Sequence, residues 1–404
     1  MGKKKKTKTD ALRRLITLKK PYPTEVRILR LYLWTAECYE KIGSIEKALA
    51  YYRKLKSQKI KKKEAVLYLR LGEKAFKQKK YFTALKNFNR AIDLDKTLEE
   101  KLKSKISSSY IQIGKRFYNQ KKYEKAIQYF VKAVKTDKSQ KEKLKDYLFN
   151  AYLSVGRKQF ISGMYSTAYD YLKKAEEIKP DNKKLLYYLG KIYIVENNYK
   201  KAAQYFEKYT SKYGENPETV SILARIYAKL GNLKKAKDYA EKIANIPEYS
   251  GLANYIMGAY SLYYEKNPTK ALQLFPESTK TGSTQKGAYY YIGRIYYDRK
   301  NYLRAITYLT KAIKKGHKKE KVYYLRALAY LNLKDYRKAI NDLSSVIKLN
   351  PENGKAYFLR GKLYYERGNY IRGEYRKAIE DLEKAASMGV KEAVTLLEEA
   401  RSKR

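Results

Sequence analysis

The 404-residue sequence predicts an all-α fold, an α-solenoid of about ten tandem helix pairs, on the evidence of two small residues that recur together. A fixed period near 34 residues is typical of helical repeats, in which each unit packs only on its neighbours. The first small residue is an alanine at Ala48, Ala84, Ala126, Ala168, Ala202, Ala236, Ala271, Ala305, Ala339 and Ala378, with 34 as the commonest spacing. The second precedes the first nine alanines by 12 residues, at Ala36, Gly72, Gly114, Gly156, Gly190, Ala224, Ala259, Gly293 and Ala327, and is Gly361 in the tenth unit.

Each unit is predicted to hold two helices joined by a short turn. Apolar or aromatic side chains stand four residues before and three after the first-helix small residue, as Tyr110 and Phe117 do around Gly114, which is helical spacing. After the alanine, apolar partners follow at four and seven residues, as Phe130 does after Ala126. Small residues let two antiparallel helices approach closely, so both mark a helix crossing. Turns are predicted at Gly43, Gly163, Gly231 and Gly368, and ends of second helices before Pro180 and Pro351.

This pattern resembles the tetratricopeptide repeat family, whose signature runs aromatic, Leu, Gly, Tyr, then Ala, Phe, Ala, Pro. The fourth unit carries it as Tyr152, Val155, Gly156, Ala168, Leu172, Ala175 and Pro180, and the ninth as Tyr323, Ala327, Tyr330, Ala339, Leu343, Val346 and Pro351. The resemblance covers residues 25–388 and implies a right-handed superhelix that serves as a protein-interaction scaffold or adaptor. Residues 389–404 are predicted to be a capping helix and tail, and Ala385 to Ala393 looks like the related Sel-one-like repeats.

Four units depart from the regular pattern. Eight extra residues follow each of the units centred on Ala84 and Ala126, and we expect them to lengthen the flanking helices by about one turn each. The seventh unit, with its weak part at 252–285, contains Pro276, and Pro276 to Gln285 is predicted to be a polar loop, forming a hinge or a degenerate second helix. In the tenth unit, Asn369 to Glu374 lengthens the turn.

The composition is strongly basic and rich in tyrosine. Lys and Arg number 91 against 41 Asp and Glu, a formal net charge of +50, and there are 46 Tyr. Anionic partners are one interpretation, and a compositional bias in which Lys only solvates helix faces is the other. The sequence has one cysteine, Cys38, and no convincing secretion signal, which predicts a cytoplasmic protein. It also lacks a long apolar run, so no transmembrane segment is predicted.

Residues 1–24 are predicted to be a basic arm, disordered over residues 1–9. Asp10 to Lys20 is expected to form a short helix that ends at Pro21-Tyr22-Pro23, and Thr24 is expected to cap the first repeat helix. Residues 1–64 carry 20 Lys or Arg against 6 Asp or Glu. The arm therefore has several candidate partners, namely phosphates, the anionic headgroups of a membrane surface or a nuclear import receptor, and a solvated tail without function is the alternative.

The sequence gives little support for catalysis. Its single histidine, His317, lies in a Lys-rich segment and is predicted to be a solvated loop residue, and Cys38 is predicted to be structural. One His and one Cys do not make a typical zinc site, and the glycines are spaced for helix crossings rather than for a phosphate loop. No catalytic residue, metal or cofactor is predicted.

The resemblance implies that first helices line a concave groove and that the residue after the small crossing residue points into it. That position holds Glu37, Glu73, Lys115, Arg157, Lys191, Arg225, Tyr260, Arg294, Leu328 and Lys362, so the groove is expected to be acidic at its start and basic from Lys115 onward. Aromatic residues often stand three residues further. The predicted partner-binding residues are Lys115, Tyr118, Arg157, Phe160, Lys191, Arg225, Tyr260, Tyr263, Arg294, Tyr297, Lys362 and Tyr365.

Three interpretations of such a basic and aromatic groove stay open. The first is capture of an acidic or extended segment of a protein partner, and the second is association with RNA or single-stranded nucleic acid, whose bases stack on rings. The third is that the groove has no ligand. Chaperone-binding members of the family clamp a C-terminal carboxylate with Lys and Asn, but the first three groove positions here are Glu37, Glu73 and Lys115, which disfavours that function.

Overall fold

The computed structural model describes residues 24–55, 57–280, 285–368 and 373–403, in which it has 21 α-helices and no strand. Their bounds are α1 (Thr24–Lys41), α2 (Ile45–Tyr52), α3 (Gln58–Lys77), α4 (Tyr81–Leu94), α5 (Leu98–Asn119), α6 (Tyr123–Thr136), α7 (Lys141–Ile161), α8 (Tyr165–Ile178), α9 (Lys183–Val195), α10 (Tyr199–Tyr213), α11 (Pro217–Lys229), α12 (Leu233–Ile243), α13 (Pro247–Tyr263), α14 (Pro268–Ser278), α15 (Gln285–Asp298), α16 (Tyr302–Lys314), α17 (Glu320–Asn332), α18 (Tyr336–Leu349), α19 (Gly354–Gly368), α20 (Glu374–Ser387) and α21 (Lys391–Ser402). A 3-10 turn, Lys138–Gln140, precedes α7. The prediction of an all-α fold is confirmed.

The chain divides into two compact units, Met1–Ile192 and Tyr193–Arg404, with the boundary inside α9. In the first unit α1 packs on α2, α3 on α4, α5 on α6 and α7 on α8. In the second, α11 packs on α12, α13 on α14, α15 on α16, α17 on α18 and α19 on α20, while α21 packs on α20. We number the repeats 1 to 10 from α1–α2 to α19–α20, so the tandem helix pairs are those that the sequence predicts.

The recurring small residues lie at the helix crossings, as predicted. A Cβ atom added to Gly114 would lie 2.6 Å from the ring of Phe130, and one added to Gly156 would lie 2.6 Å from Cγ of Leu172. All ten recurring second-helix alanines are fully buried. At these crossings a large side chain of one helix fills the space between the two helices. The other helix therefore has room for no more than a hydrogen atom or a methyl group.

The turn between the two helices of a repeat has a conserved backbone geometry along the chain. In the first nine repeats the residue seven positions after the small residue has a positive φ, between 55° and 78°. Glycine occupies this position three times, at Gly43, Gly163 and Gly231, as the sequence predicts. In the other six repeats it is Lys79, Lys121, Asn197, Lys266, Lys300 or Lys334, side chains that pay a steric cost in this conformation. The predicted tenth turn at Gly368 is instead the last residue of α19.

The eight extra residues of the early repeats extend only the first helices, which corrects our prediction of about one turn on each flanking helix. Helices α5 and α7 have 22 and 21 residues against 13 in α9, whereas α4, α6 and α8 all have 14. The added N-terminal turns are held by apolar residues at helical spacing, such as Leu102 and Ile106 of α5, which are buried. The whole insertion thus adds packing surface to one helix.

The loop predicted from Pro276 is also partly wrong, because α14 continues to Ser278. Proline removes one backbone hydrogen bond, and here it does so in the last turn of the helix, where the loss is small. Phe275 and Ser278 on either side are fully buried, and the Ser278 hydroxyl donates to the Phe275 carbonyl at 2.7 Å. Burial on both sides of Pro276 therefore keeps this turn helical, and residues 281–284 lie outside the described part.

Two other sequence-based expectations fall on residues outside the described part. These are the N-terminal arm through residue 23 and residues 369–372 of the tenth turn. Gly373 has a φ of 87°, and Glu374 is the first residue of α20 rather than part of the turn. At the C-terminal end, α21 buries Ala393, Leu397 and Ala400 against the last repeat.

Paired rings at the crossings give part of the Tyr and Lys content a structural role. In five repeats the aromatic residue three positions after the first-helix small residue packs on the Tyr three positions after the alanine. These ring pairs are Tyr39 with Tyr51, Phe117 with Tyr129, Tyr193 with Tyr205, Tyr227 with Tyr239 and Tyr296 with Tyr308, with centroids 5.3 to 5.8 Å apart. A cation one residue before the alanine lies 4.7 to 5.6 Å from the first ring: Lys47, Lys125, Lys201, Lys235 and Arg304. Many Lys and Tyr side chains thus stabilise the fold through cation–π contacts.

Repeats 9 and 10 fill the same place with an ion pair. The second-helix position of the ring pair is Asp342 or Asp381, and each carboxylate accepts two hydrogen bonds from an arginine of the first helix, Arg326 or Arg360. Both aspartates are 5% exposed, so the charges are almost fully removed from solvent. Ring pair and ion pair are alternative ways to occupy one crossing.

Candidate partner-binding site

The predicted groove cations fall into two groups in the structure. Arg157, Arg225 and Lys362 are exposed, and none of them has a carboxylate partner among the described residues. Arg157 belongs to the first unit, whereas Arg225 and Lys362 belong to the second. These three residues, which we call the open cations, keep their hydrogen-bonding capacity for a ligand.

The other predicted cations are engaged within the protein. Lys115 Nζ lies 5.1 Å from the ring centroid of Tyr147, and Lys191 Nζ lies 4.6 Å from that of Tyr187. Arg294 donates from Nη1 to the Tyr263 hydroxyl at 2.9 Å and lies 3.8 Å from Asp298. A ligand would have to displace these contacts. Lys115, Lys191 and Arg294 are therefore less available for ligand binding than their positions in the sequence suggest.

The predicted groove rings are half-buried wedges between helices. Tyr118 packs edge-on against Tyr147 of the next first helix at 5.1 Å, and Phe160 packs in the same way against Tyr188 at 5.4 Å. Burial raises the pKa of Tyr118, so its hydroxyl is neutral. Such rings present an edge to solvent and are held in place before any ligand arrives.

In the second unit the predicted rings are also tied to neighbouring residues. Tyr297 is half-buried beside Tyr302 at 5.6 Å, and Tyr260 stacks on Tyr264 at 4.9 Å. The hydroxyl of Tyr365 donates to Glu399 of α21 at 3.1 Å. The structure thus places rings next to the cations but does not leave their faces free.

The acidic start of the groove is neutralised by the neighbouring repeats. Glu37 forms an ion pair with Lys63 at 2.7 Å, and Glu73 forms one with Lys105. Lys63 and Lys105, like Tyr147, stand nine residues before the small residue of the following first helix, in its N-terminal extension. The long first helices therefore supply partners to the groove positions of repeats 1 to 3, and the change from an acidic to a basic groove stays a prediction.

These covering residues were missed in the sequence, although a signal for them is present. All three stand at one fixed distance, nine residues, before the small residue of their own first helix, which is Gly72, Gly114 or Gly156. A lysine stands there opposite each of the two groove glutamates, and Tyr147 stands opposite the groove residue Lys115. Charge complementarity between neighbouring repeats could have indicated the contact.

His317 is not the solvated loop residue that the sequence suggests. Its Nδ1 donates to the carbonyl of Lys286 at 2.9 Å, and its ring lies 5.6 Å from that of Tyr290. Its Nε2 is buried and has no hydrogen-bond partner in the described residues. Burial lowers the pKa of His317, with Lys321, Lys319 and Lys286 adding to the effect, so the imidazole is held neutral.

Other chemistry of the described residues is sparse. No group of three or more His, Cys, Asp or Glu side chains is arranged to hold a metal ion in the part of the chain that the structure covers. Over the same residues, every helix is too short or too polar to cross a bilayer. Cys38, the single cysteine of the sequence, is half-buried on α1.

Models of the tetratricopeptide repeat family match six segments of the sequence. The matched residues are 30–58, 107–140, 159–212, 219–248, 287–315 and 320–353, which together cover a little over half of the chain. The chain is a tetratricopeptide repeat protein. The helix pairs of this tetratricopeptide protein follow the family's period, while the Sel-one-like character near its C-terminus has no match and stays a prediction.

Solved tetratricopeptide structures resemble the chain at low sequence identity. One is a tetratricopeptide repeat protein from Parabacteroides merdae, 23% identical over 63% of this chain and 99% of its own, with a TM-score of 0.43. The anaphase-promoting complex hetero-tetramer Cut9–Hcn1 is 15% identical over 92% of this chain and 76% of its own, at 0.45. YrrB, described as having an unusual peptide-binding site, is 19% identical over 48% and 97%, at 0.39. A search of curated protein sequences gives no match.

Proposed function

We propose that this tetratricopeptide protein is a non-catalytic scaffold that binds an acidic, extended segment of a protein partner. The observation that carries the proposal is the set of open cations, Arg157, Arg225 and Lys362, at the predicted groove positions of a chain with net charge +50. Proteins of this repeat family serve generally as interaction scaffolds. The predicted groove residues act as the recognition surface of each unit, and the cytoplasm is the proposed location.

The chemistry of the open cations favours carboxylates. Arginine presents a planar fork of donors that matches a carboxylate, and such charge-assisted hydrogen bonds are stronger than neutral ones. Phe160 stands three residues after Arg157, on the same side of α7, and its half-buried ring is held against Tyr188. A segment that alternates acidic and apolar side chains fits this combination.

The direct test is fluorescence anisotropy with a labelled peptide that alternates glutamate and leucine. The site variant is Arg157→Gln with Arg225→Gln and Lys362→Gln, and the control is Lys138→Gln with Lys141→Gln and Lys143→Gln, which removes the same charge from exposed lysines at the start of α7 and just before it. We expect the site variant to lose about tenfold or more in affinity, since each charge-assisted bond is worth ~1.5 kcal/mol or more, and the control to lose little. Equal losses in both variants would refute the groove, because they would show that only net charge matters.

Association with RNA is the alternative that the net charge itself favours. A labelled oligouridine measured in the same series distinguishes it, because nucleic-acid affinity falls steeply and linearly on a logarithmic scale with salt. The RNA proposal would replace the scaffold proposal if oligouridine binds tightly, if both triple variants weaken this binding equally, and if the acidic peptide does not bind. The scaffold proposal is supported if peptide binding depends on the open cations and persists at salt concentrations at which oligouridine dissociates.

A further inference from the structure

Repeat 2 lacks both rings of the ring pair, and a cavity stands in their place. The two ring-pair positions hold Ala75 in α3 and Asn87 in α4, where repeats 1 and 3 have Tyr39 with Tyr51 and Phe117 with Tyr129. Ala75 and Asn87 both line a cavity of about 610 Å³ in the first unit. We call this cavity the repeat 2 notch.

Four cations line the repeat 2 notch, in contrast to one carboxylate, Glu46. Arg53 is held by its hydrogen bond to the Tyr68 hydroxyl, which fixes its guanidinium at the edge of the cavity. Lys74, Lys80 and Lys86 are exposed and have no ion-pair partner among the described residues. Arg53 also interacts with the buried carboxylate of Glu64, so the three lysines carry the positive charge that has no ion-pair partner among the described residues.

The remaining lining is suited to a planar group with polar edges. Leu49, Leu71 and Ala75 give an apolar wall, and Tyr68, which is 6% exposed, contributes a buried ring. The side chains of Gln78, Thr83 and Asn87 can donate or accept hydrogen bonds from the cavity wall. The volume of the notch lies in the range of small-molecule sites, and its mainly polar lining favours a charged ligand over an apolar one.

The repeat 2 notch is separate from the predicted groove. Ala75 and the groove residue Glu73 are two residues apart on one helix, which places them about 200° apart around its axis. Glu73 also points to Lys105 of the next first helix, whereas the notch is bounded by α2, α3 and α4. A ligand in the notch would leave the open cations free.

We propose that the repeat 2 notch binds a small aromatic phosphate, in which a planar ring takes the place of the missing ring pair and the phosphate contacts Lys74, Lys80 and Lys86. In five other repeats this crossing is occupied by a pair of rings beside a cation, and four of these pairs are stacked, so the fold already stabilises such an arrangement. A phosphate dianion offsets the excess of cations over Glu46 better than a single carboxylate does. A nucleotide and a phosphotyrosine side chain share this chemistry.

The test is calorimetric titration of the full chain with adenosine monophosphate and, separately, with O-phosphotyrosine. The controls are adenosine and tyrosine, which have the ring without the phosphate, and inorganic phosphate, which has no ring. We expect at least one aromatic phosphate to bind about tenfold or more tightly than inorganic phosphate, and the one that binds better identifies the source. Equal affinity for inorganic phosphate and both aromatic phosphates would overturn the proposal, since the ring would then contribute nothing.

Two variants locate the site. Ala75→Tyr with Asn87→Tyr rebuilds the ring pair of repeats 1 and 3 and should abolish binding while the thermal midpoint stays the same or rises. Lys74→Gln with Lys86→Gln changes only exposed side chains and should weaken binding about tenfold, against little change for Lys138→Gln with Lys141→Gln. Binding that survives in the ring-rebuilding variant would overturn the proposal. Retained binding in the Arg157→Gln, Arg225→Gln, Lys362→Gln variant is expected, and its loss there would place the ligand in the groove instead.

Discussion

Arg326 of α17 and Asp342 of α18 form a two-pronged ion pair at the crossing of repeat 9, with Nε 2.8 Å from Oδ2 and Nη2 2.7 Å from Oδ1. Asp342 is 5% exposed, and Nη1 of the same arginine donates to Thr310 of α16 at 2.9 Å. One side chain therefore joins three helices of two repeats. Its planar fork fits the site because each of its three donating nitrogens meets an oxygen.

We expect Arg326→Ala to destabilise the protein by about 3 to 5 kcal/mol, because the carboxylate of Asp342 would stay buried without its partner. Urea unfolding followed by circular dichroism measures the change. The double variant Arg326→Ile with Asp342→Tyr copies Ile292 and Tyr308 of repeat 8 and should recover much of the loss. A double variant no more stable than Arg326→Ala would contradict the equivalence of ring pair and ion pair.

Replacement of a lysine in a left-handed turn by glycine should stabilise the protein. Lys300 and Lys334 both have a φ of 59°, and we expect Lys300→Gly to raise stability by about 0.5 to 1 kcal/mol through removal of the Cβ clash. Gly231→Ala is the matched reverse change at φ 78° and should lower the thermal midpoint. Differential scanning calorimetry measures both, and a lower midpoint for Lys300→Gly would show that its side chain contributes more than the strain costs.

The Gly114 crossing should not accept a methyl group. A Cβ there would lie 2.6 Å from the ring of Phe130, so Gly114→Ala is expected to cost about 1 to 3 kcal/mol. Repeat 6 has Ala224 opposite Ala240 at the same positions, so Phe130→Ala is expected to remove the clash. Urea denaturation of the two single variants and the double variant gives the coupling energy, and strictly additive losses would contradict a direct clash.

The burial of His317 predicts a stability change in mild acid. Burial lowers its pKa in the folded protein, so the unfolded chain binds the proton more readily, and stability falls as the pH drops below the unfolded value of about 6.5 toward the lower folded pKa. The positive charges of Lys321, Lys319 and Lys286 also lower the pKa of His317 and so oppose its protonation. Thermal midpoints between neutral and mildly acidic pH should show a steeper decline for the parent chain than for His317→Gln. Parallel curves would rule out a contribution from this residue.

Repeat architecture was readable from the sequence because it depends on local rules. The recurring alanines and glycines must be small wherever two helices cross, so Ala126 and Gly114 identify their crossings without knowledge of the rest of the chain. The ring pairs could have been read in the same way, since Tyr39 and Tyr51 stand at fixed offsets from Ala36 and Ala48. Their partnership was hidden because Tyr and Lys are abundant throughout the sequence.

The exposure of individual groove residues could not be read in this way. Arg157 and Lys115 occupy equivalent positions in their repeats, yet Arg157 is open and Lys115 is covered by Tyr147. The difference comes from the length of the first helix in the next repeat. Helix α7, with 21 residues, extends over Lys115, whereas α9, with 13 residues, is too short to extend over Arg157. Similarly, Pro276 stays helical because its neighbours Phe275 and Ser278 are buried.

The sequence by itself determined the all-α fold, the repeat period, the small residues at each crossing and the excess of positive charge, because each depends on residue type at a fixed spacing. The tertiary structure decided which charges are neutralised, as Glu37 is by Lys63, and where a missing pair of rings leaves a cavity beside Ala75 and Asn87. Those outcomes depend on side chains from different helices that come within a few ångströms of each other. Their distances are fixed only when neighbouring repeats pack.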